Sequence, residues 1–174
     1  MKFLRGFRYA FQGIVYCIKN ERNMRVHTAV ALYALLFSPF FALTASQYAI
    51  LFVTFAMVIA AEMFNTASER LADLSSSHYS HLVRIAKDVA AGGVLVCALF
   101  AIAVGICLFW QPAAFVRMWI YFTDKPYMAV LLALSLVLAL CYVIWGPIGI
   151  RNAFRKRRKK LSVIKREEDQ DAEG

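Results

Sequence analysis

Charged residues are scarce in this chain. Only 18% of its 174 residues are Asp, Glu, Lys or Arg, whereas 61% are hydrophobic. A soluble domain usually has about 45–50% apolar residues, so the composition argues against an ordinary soluble protein. Four segments lack charge altogether: about residues 28–45, 47–61, 89–116 and 127–150. With its polar end, each approaches the roughly 20 residues that cross a bilayer. The sequence therefore predicts four transmembrane helices.

Several common motifs are also absent. The four cysteines form no CxxC pair and no zinc spacing with histidine, so we interpret them as small packing residues. They are Cys17, Cys97, Cys107 and Cys141. The sequence contains neither a Walker loop nor a kinase glycine-rich loop. An N-terminal signal peptide is not expected, because the first apolar run follows residue 27 and further runs come after it.

The basic residues are concentrated in three segments between and beyond the predicted spans. Residues 1–27, 68–88 and 151–174 hold 18 of the 20 Lys and Arg residues. Positive charge favours the cytoplasmic side of a membrane. We therefore expect a multi-pass protein of the inner (plasma) membrane with both termini in the cytoplasm. The net charge of +9 follows from this bias, so a nucleic-acid partner is not expected.

The two ends of the chain have distinct patterns. Residues 1–25 mix basic and aromatic side chains at mostly helical spacing, which is typical of an amphipathic helix in the membrane interface. The segment 151–174 is polybasic and then acidic. We expect it to be disordered, and its basic part to attract anionic lipid or only to determine topology. The predicted organisation is a core over 1–110, an outer segment and fourth span over 111–150, and this tail.

A stripe of polar residues interrupts the apolar pattern at the end of the second span. At about 100° per residue, these side chains share one helical face within about 80°. They are Glu62, Asn65, Glu69 and Asp73. An ionisable residue within a span is costly and usually marks a functional site. The alternative is a hydrogen-bond network that only orients helices, for which two glutamates are poor choices.

Other polar residues should lie at the same depth. Glu21 precedes the first span, and Lys87 and Asp88 precede the third. Carboxylates such as Glu21 and Glu69 suit Mg²⁺, which is usually held together with substrate phosphates. Lys87 can neutralise phosphate charge, and a carboxylate such as Glu62 in an apolar setting can act as general base. The pattern is compatible with phosphoryl transfer, with an ion transporter, or with a non-catalytic scaffold that binds anionic lipid.

Four stretches in this order and spacing resemble the prokaryotic integral-membrane diacylglycerol kinase and undecaprenol kinase family. They are FRYAFQGI (7–14), NERNMRVH (20–27), EMFNTASERLAD (62–73) and IAKDVAAGGVL (85–95). The resemblance covers residues 1 to about 110. It implies an all-α membrane protein, with an N-terminal amphipathic surface helix and a three-helix transmembrane kinase core. The fourth transmembrane helix is an addition to this pattern.

The resemblance also implies roles for individual residues. Glu62 matches the proposed general base, and Glu21 and Glu69 match the glutamates that hold Mg²⁺ on ATP. The remaining matches are nucleotide- or phosphate-contacting positions: Tyr9, Asn65, Asp73, Lys87 and Asp88. The implied activity is ATP-dependent phosphorylation of a membrane lipid hydroxyl, and the implied assembly is a homotrimer with active sites between subunits. The forms NERN-x-RVH and IAKDVAAG favour undecaprenol slightly over diacylglycerol.

Overall fold

The computed structural model describes residues 2–75, 81–147 and 149. Within these residues the secondary structure is helical, without strands. The helices are α1 (Lys2–Asn20), α2 (Arg22–Phe37), α3 (Ala45–Ser75), α4 (His81–Phe109), α5 (Pro112–Asp124) and α6 (Pro126–Pro147). The predicted all-α class is confirmed. The predicted tail over 151–174 lies outside the described residues.

Three helices in the described part of the chain are long and apolar enough to cross a membrane: α3, α4 and α6. The span predicted over 28–45 corresponds to α2 and the turn after it, which are not among these three helices. Helix α2 has 16 residues and continues into a 3₁₀ turn of three, Ser38–Phe40, where Pro39 prevents further α-helix. At about 1.5 Å per α residue and about 2.0 Å per 3₁₀ residue, this rod measures about 30 Å. Its first turns carry Arg22 and Arg25, so its apolar part is shorter than the hydrocarbon thickness of a bilayer. Helix α2 is therefore not among the described helices that are long and apolar enough to cross one.

Helix α1 is amphipathic, as predicted. Its first half has no face buried against the described residues, because residues 3–12 are all exposed, including Phe3 and Phe7. Its second half packs on α2 and α3, where Cys17 is buried. The exposed aromatic half is suited to lipid contact.

Helices α3 and α4 form the main hairpin, and α2 packs on α3. The start of α3 is defined by a capping box. The Gln47 backbone N–H donates to Thr44 Oγ1 over 3.3 Å, and the Thr44 N–H donates to Gln47 Oε1 over 2.8 Å. These bonds pair backbone donors at the helix N-terminus, so the charge-free turn between α2 and α3 needs no other partner there.

The C-terminal helix α6 contacts α2 in an antiparallel arrangement. Tyr33 Oη donates to Ser135 Oγ over 3.0 Å, and the hydroxyls of Thr28 and Tyr142 lie 3.5 Å apart. At the other end of α2, Arg117 of α5 donates two bonds to the Phe40 carbonyl. Helix α5 lies within the outer segment predicted at the start of 111–150. Together α5 and α6 cover a side of α2 with polar bonds at both ends.

Burial of Cys17 gives a direct test of how α1 packs. Burial raises the pKa of this thiol, and its hydrogen bond with Thr66 offsets part of that shift. A raised pKa means less thiolate at pH 7–8. With the other cysteines replaced by alanine, we expect Cys17 to react with maleimide on the order of tenfold or more slowly than a Gln12→Cys thiol on the exposed face of the same helix. Labelling followed by mass spectrometry measures both rates, and equal rates would contradict the packing.

Candidate active site

The polar stripe lies on the continuous helix α3, and its exposure rises along the chain. Glu62 is 2% exposed and Asn65 is 8% exposed, whereas Glu69 is half-buried and Asp73 is exposed. The predicted polar face therefore begins inside the helical bundle and becomes exposed towards one end of it. We call this end, which also carries Glu21 and Lys87, the polar end.

Glu62 is the most deeply placed ionisable group of the stripe. It is one of the two largest fully buried side chains in the described residues, together with Met24 of α2. Thr66 donates to the Glu62 backbone carbonyl over 2.9 Å, and Cys17 of α1 contacts Thr66. Two buried oxygens, Glu62 Oε2 and Asn65 Oδ1, have no hydrogen-bond partner within the described part of the chain. Burying a polar atom without a hydrogen bond costs free energy of folding. These two oxygens are therefore candidates for contact with a ligand.

Glu21 and Glu69 are brought to the same end by different contacts. Asn65 Nδ2 donates to Glu69 Oε1 over 3.1 Å along α3. Glu21, at the junction of α1 and α2, accepts a 3.1 Å bond from Arg70. Both carboxylates lie within electrostatic range of Glu62. Three acidic groups therefore lie at the polar end, and Arg70 offsets the charge of one of them, Glu21.

The remaining predicted site residues divide into two groups. Lys87 of α4 pairs with Asp73 of α3 over 2.5 Å, so the hairpin brings both to the stripe. Asp88 pairs with Arg84 on the exposed face of α4. Tyr9 is 66% exposed on the first half of α1, and the structure shows no side-chain hydrogen bond or ring contact for it among the described residues. Asp88 and Tyr9 are therefore not joined to the buried carboxylates by any contact between the residues that the structure describes.

The donor set suits a nucleotide-bound magnesium ion. Among the described residues, no three His, Cys, Asp or Glu side chains are grouped closely enough to hold a metal by themselves. Mg²⁺, however, usually takes only one or two protein carboxylates, and phosphates and water complete its octahedron. Glu21 and Glu69 supply two such carboxylates. The chain's own groups therefore fit a metal that arrives with phosphate.

An apolar cavity of about 410 Å³ lies between α2, α3 and α4. Near the polar end its lining includes His27 and Ile59, which is three residues before Glu62. Its lining also includes Phe109, at the last residue of α4. The cavity thus extends from the neighbourhood of the carboxylates into the part of the bundle that would lie within hydrocarbon. Its lining suits an apolar chain.

Sequence reasoning assigned no role to two arginines at the polar end. Arg70 bonds Glu21 and lies 5.8 Å from the Tyr16 ring centre. Arg25 is 6% exposed and contacts three backbone carbonyls. An available signal for Arg25 was its position three residues before an uncharged span. The acceptors of both residues are distant in sequence or belong to the backbone, so spacing alone could not identify them.

Comparison with known proteins finds relatives over the segment that carries this site. The family model for prokaryotic diacylglycerol kinase matches residues 8–109. A protein of Synechocystis sp. (strain ATCC 27184 / PCC 6803 / Kazusa) named diacylglycerol kinase is 39% identical over 110 residues, which cover 63% of each chain. A protein of Bacillus subtilis (strain 168) named undecaprenol kinase is 32% identical over 108 residues, 62% of this chain and 88% of that protein.

The fold and site define a helical membrane protein with a carboxylate-lined site at one end of its bundle. The chain belongs to the prokaryotic diacylglycerol kinase family, a family of membrane lipid kinases. The matched segment spans less than two thirds of the Synechocystis relative. The family-model match ends at residue 109, before α5 and α6 of this chain.

Proposed function

We propose that this protein is a lipid kinase that transfers the γ-phosphoryl group of ATP to the hydroxyl of a membrane lipid. The observation that carries the proposal is the placement of Glu62. Its carboxylate is buried, one of its oxygens has no partner in the described chain, and it is close enough to Glu21 and Glu69 for their charges to act on it. A reactive carboxylate near an apolar cavity suits an alcohol with a long hydrocarbon chain.

Each residue of the site has a separate proposed role in the reaction. Glu62 Oε2 accepts the proton of the lipid hydroxyl while the lipid oxygen bonds the γ-phosphorus and the bond to the β-phosphate oxygen breaks, so ADP leaves. Lys87, oriented by Asp73, offsets charge on the phosphates. Asn65 positions Glu69 and offers its own buried oxygen to the nucleotide. Glu21 and Glu69 would hold Mg²⁺, which neutralises phosphate charge when bound.

Tyr9 and Asp88 are the outer members of the proposed site. They would contact the nucleotide from α1 and from the start of α4. Both are exposed, so this role requires either the nucleotide itself or another copy of the chain to bring them towards the carboxylates. A homotrimer with active sites between subunits would supply such a copy. The largely exposed apolar surface of α4 leaves room for one.

The narrower substrate proposal is undecaprenol, ahead of diacylglycerol. The two relatives are named for different lipids, so their names do not decide between them. The preference rests on the NERN-x-RVH and IAKDVAAG stretches. We further propose that the polar end faces the cytoplasm of the inner membrane, where ATP is present. In this arrangement residues 1–110 are the kinase core, and 111–150 and 151–174 are additions to it.

Phosphate transfer from labelled ATP in detergent micelles tests the proposal. Undecaprenol and diacylglycerol are offered side by side, with Mg²⁺ and with chelator. We expect label in lipid, lost with chelator, and faster transfer to undecaprenol. Faster transfer to diacylglycerol would overturn only the substrate preference. If folded protein labels neither lipid, the kinase proposal is wrong, and an anionic-lipid-binding scaffold becomes the better explanation.

A further inference from the structure

The C-terminal helix α6 lies beyond the matched family segment, so its role has to be inferred from its contacts. Its contacts with α2 include one at the polar end, close to Glu21. There Arg25 of α2 points its guanidinium between the end of α1 and the end of α6. This side chain is buried at 6% exposure, although an arginine is rarely buried unless its donors are paired.

The three acceptors of Arg25 are backbone carbonyls near helix ends. Its Nη1 donates to the Ile18 and Lys19 carbonyls, each over 3.3 Å, in the last turn of α1. Its Nε donates to the Val143 carbonyl of α6 over 3.2 Å. In a continuous helix that carbonyl would accept from residue 147, but residue 147 is proline and has no N–H. Arg25 therefore supplies a bond that α6 cannot make for itself.

Gly146 provides the space for this contact. It is buried and has a positive φ of 62°, which favours glycine. A Cβ at this position would lie 2.9 Å from the Arg25 Cζ and Nη1 atoms. The Gly146-Pro147 pair thus both admits the guanidinium and leaves a carbonyl for it. Gly146 and Pro147, at the end of α6, therefore both contribute to the binding of the Arg25 side chain of α2.

The same guanidinium spans the turn that carries Glu21. Ile18 and Lys19 precede Glu21, and Arg25 follows it by one helical turn, with its backbone N–H 3.4 Å from the Glu21 carbonyl. Glu21 itself is the extended residue between α1 and α2. Bonds from Arg25 to both sides therefore restrict the angle between the two helices. That angle determines where the Glu21 carboxylate lies relative to α3.

We propose that Arg25 is a positioning residue through which α6 holds Glu21 in place for the magnesium nucleotide. This inference rests on the proposed kinase function. It assigns the added C-terminal helix a part in nucleotide binding rather than in lipid binding or topology alone. A helix that only anchored the chain would leave the nucleotide kinetics unchanged when its contact with Arg25 is disturbed.

Three variants test the contact: Gly146→Ala, Arg25→Gln and Arg25→Lys. Loss of hydrogen bonds from a charged group is expected to raise the KM for MgATP about tenfold in Gly146→Ala and Arg25→Gln. The kcat and the KM for lipid should stay within about twofold, since Glu62 is untouched. Arg25→Lys keeps the charge and some hydrogen-bond donors, so its KM for MgATP should lie between the values of these two variants and that of the unchanged protein. Gly6→Ala, at a glycine with open space around it, is the matched control.

A second measurement separates this inference from the kinase proposal. Spin labels at Gln12 of α1 and Leu138 of α6, both exposed, report the distance between the two helices. We expect a narrow distribution that broadens in Arg25→Gln and Gly146→Ala. An active protein whose KM for MgATP does not change in these variants would overturn the inference, and so would an unchanged distance distribution. A broadened distribution with no kinase activity in the unchanged protein would overturn the proposed function while leaving Arg25 as the link between α1, α2 and α6.

Discussion

Glu69→Gln is expected to reduce phosphoryl transfer on the order of a hundredfold or more while leaving the helical bundle intact. The amide oxygen of the new side chain can still accept the 3.1 Å bond from Asn65 Nδ2, so no buried donor loses its partner. The negative charge at the proposed metal position is lost. The defect should therefore appear as a need for a higher Mg²⁺ concentration and a higher KM for MgATP, as well as a lower kcat.

Steady-state kinetics across a Mg²⁺ titration measure this effect, and thermal unfolding in micelles checks the fold. Asp124→Asn is the matched control, because Asp124 is an exposed carboxylate at the end of α5, away from the stripe. It should behave like the unchanged protein. Full activity of well-folded Glu69→Gln protein would rule out this residue as a metal ligand.

Glu62→Gln is expected to lower kcat by about 10²–10⁴-fold, with little change in the KM of either substrate. The proposed base is lost, but the shape of the side chain and the neighbouring carboxylates remain. Because Glu62 is buried and Oε2 has no partner in the described residues, replacing it with a neutral amide removes a buried charge. Thermal stability should therefore stay the same or rise.

The kcat and KM values separate this variant from Glu69→Gln. A general base predicts a loss in kcat alone, whereas a metal ligand predicts a loss that depends on Mg²⁺. Glu62→Asp, which shortens the side chain by one methylene, should retain part of the activity. If Glu62→Gln turned over within tenfold of the unchanged protein, another group would have to take the proton from the lipid hydroxyl.

Part of the site could be read from helical periodicity. The positions 62, 65, 69 and 73 share one face of any α-helix, and the apolar run before Glu62 predicts that the face begins inside the bundle. The structure agrees, with exposure rising from Glu62 to Asp73. The pairing of Asp73 with Lys87 across the α3–α4 hairpin was not specified by this pattern, because the hairpin geometry sets which side chains meet.

The span over 28–45 shows a limit of composition. Its residues are uncharged, so hydropathy predicts one continuous helix. Pro39 changes the backbone locally, and the helix ends at Phe37 before a 3₁₀ turn. The start at Arg22 also lies outside the apolar run, because a helix can continue through charged residues when backbone bonds and packing support it. Composition thus indicated a helix here but not its bounds, and the helix is not among the three in the described residues that are long and apolar enough to span a membrane.

The sequence by itself determined the helical class, the apolar spans and the carboxylate face, since each depends on neighbours within a few turns of one helix. Only the tertiary structure decided how these helices meet. Arg70 reaches Glu21 across 49 positions, and Arg25 reaches the Val143 carbonyl across 118. Such contacts depend on how whole helices pack and on which backbone carbonyls remain without a donor. The role of Pro147 in leaving one of those carbonyls open becomes visible only when Arg25 lies beside it.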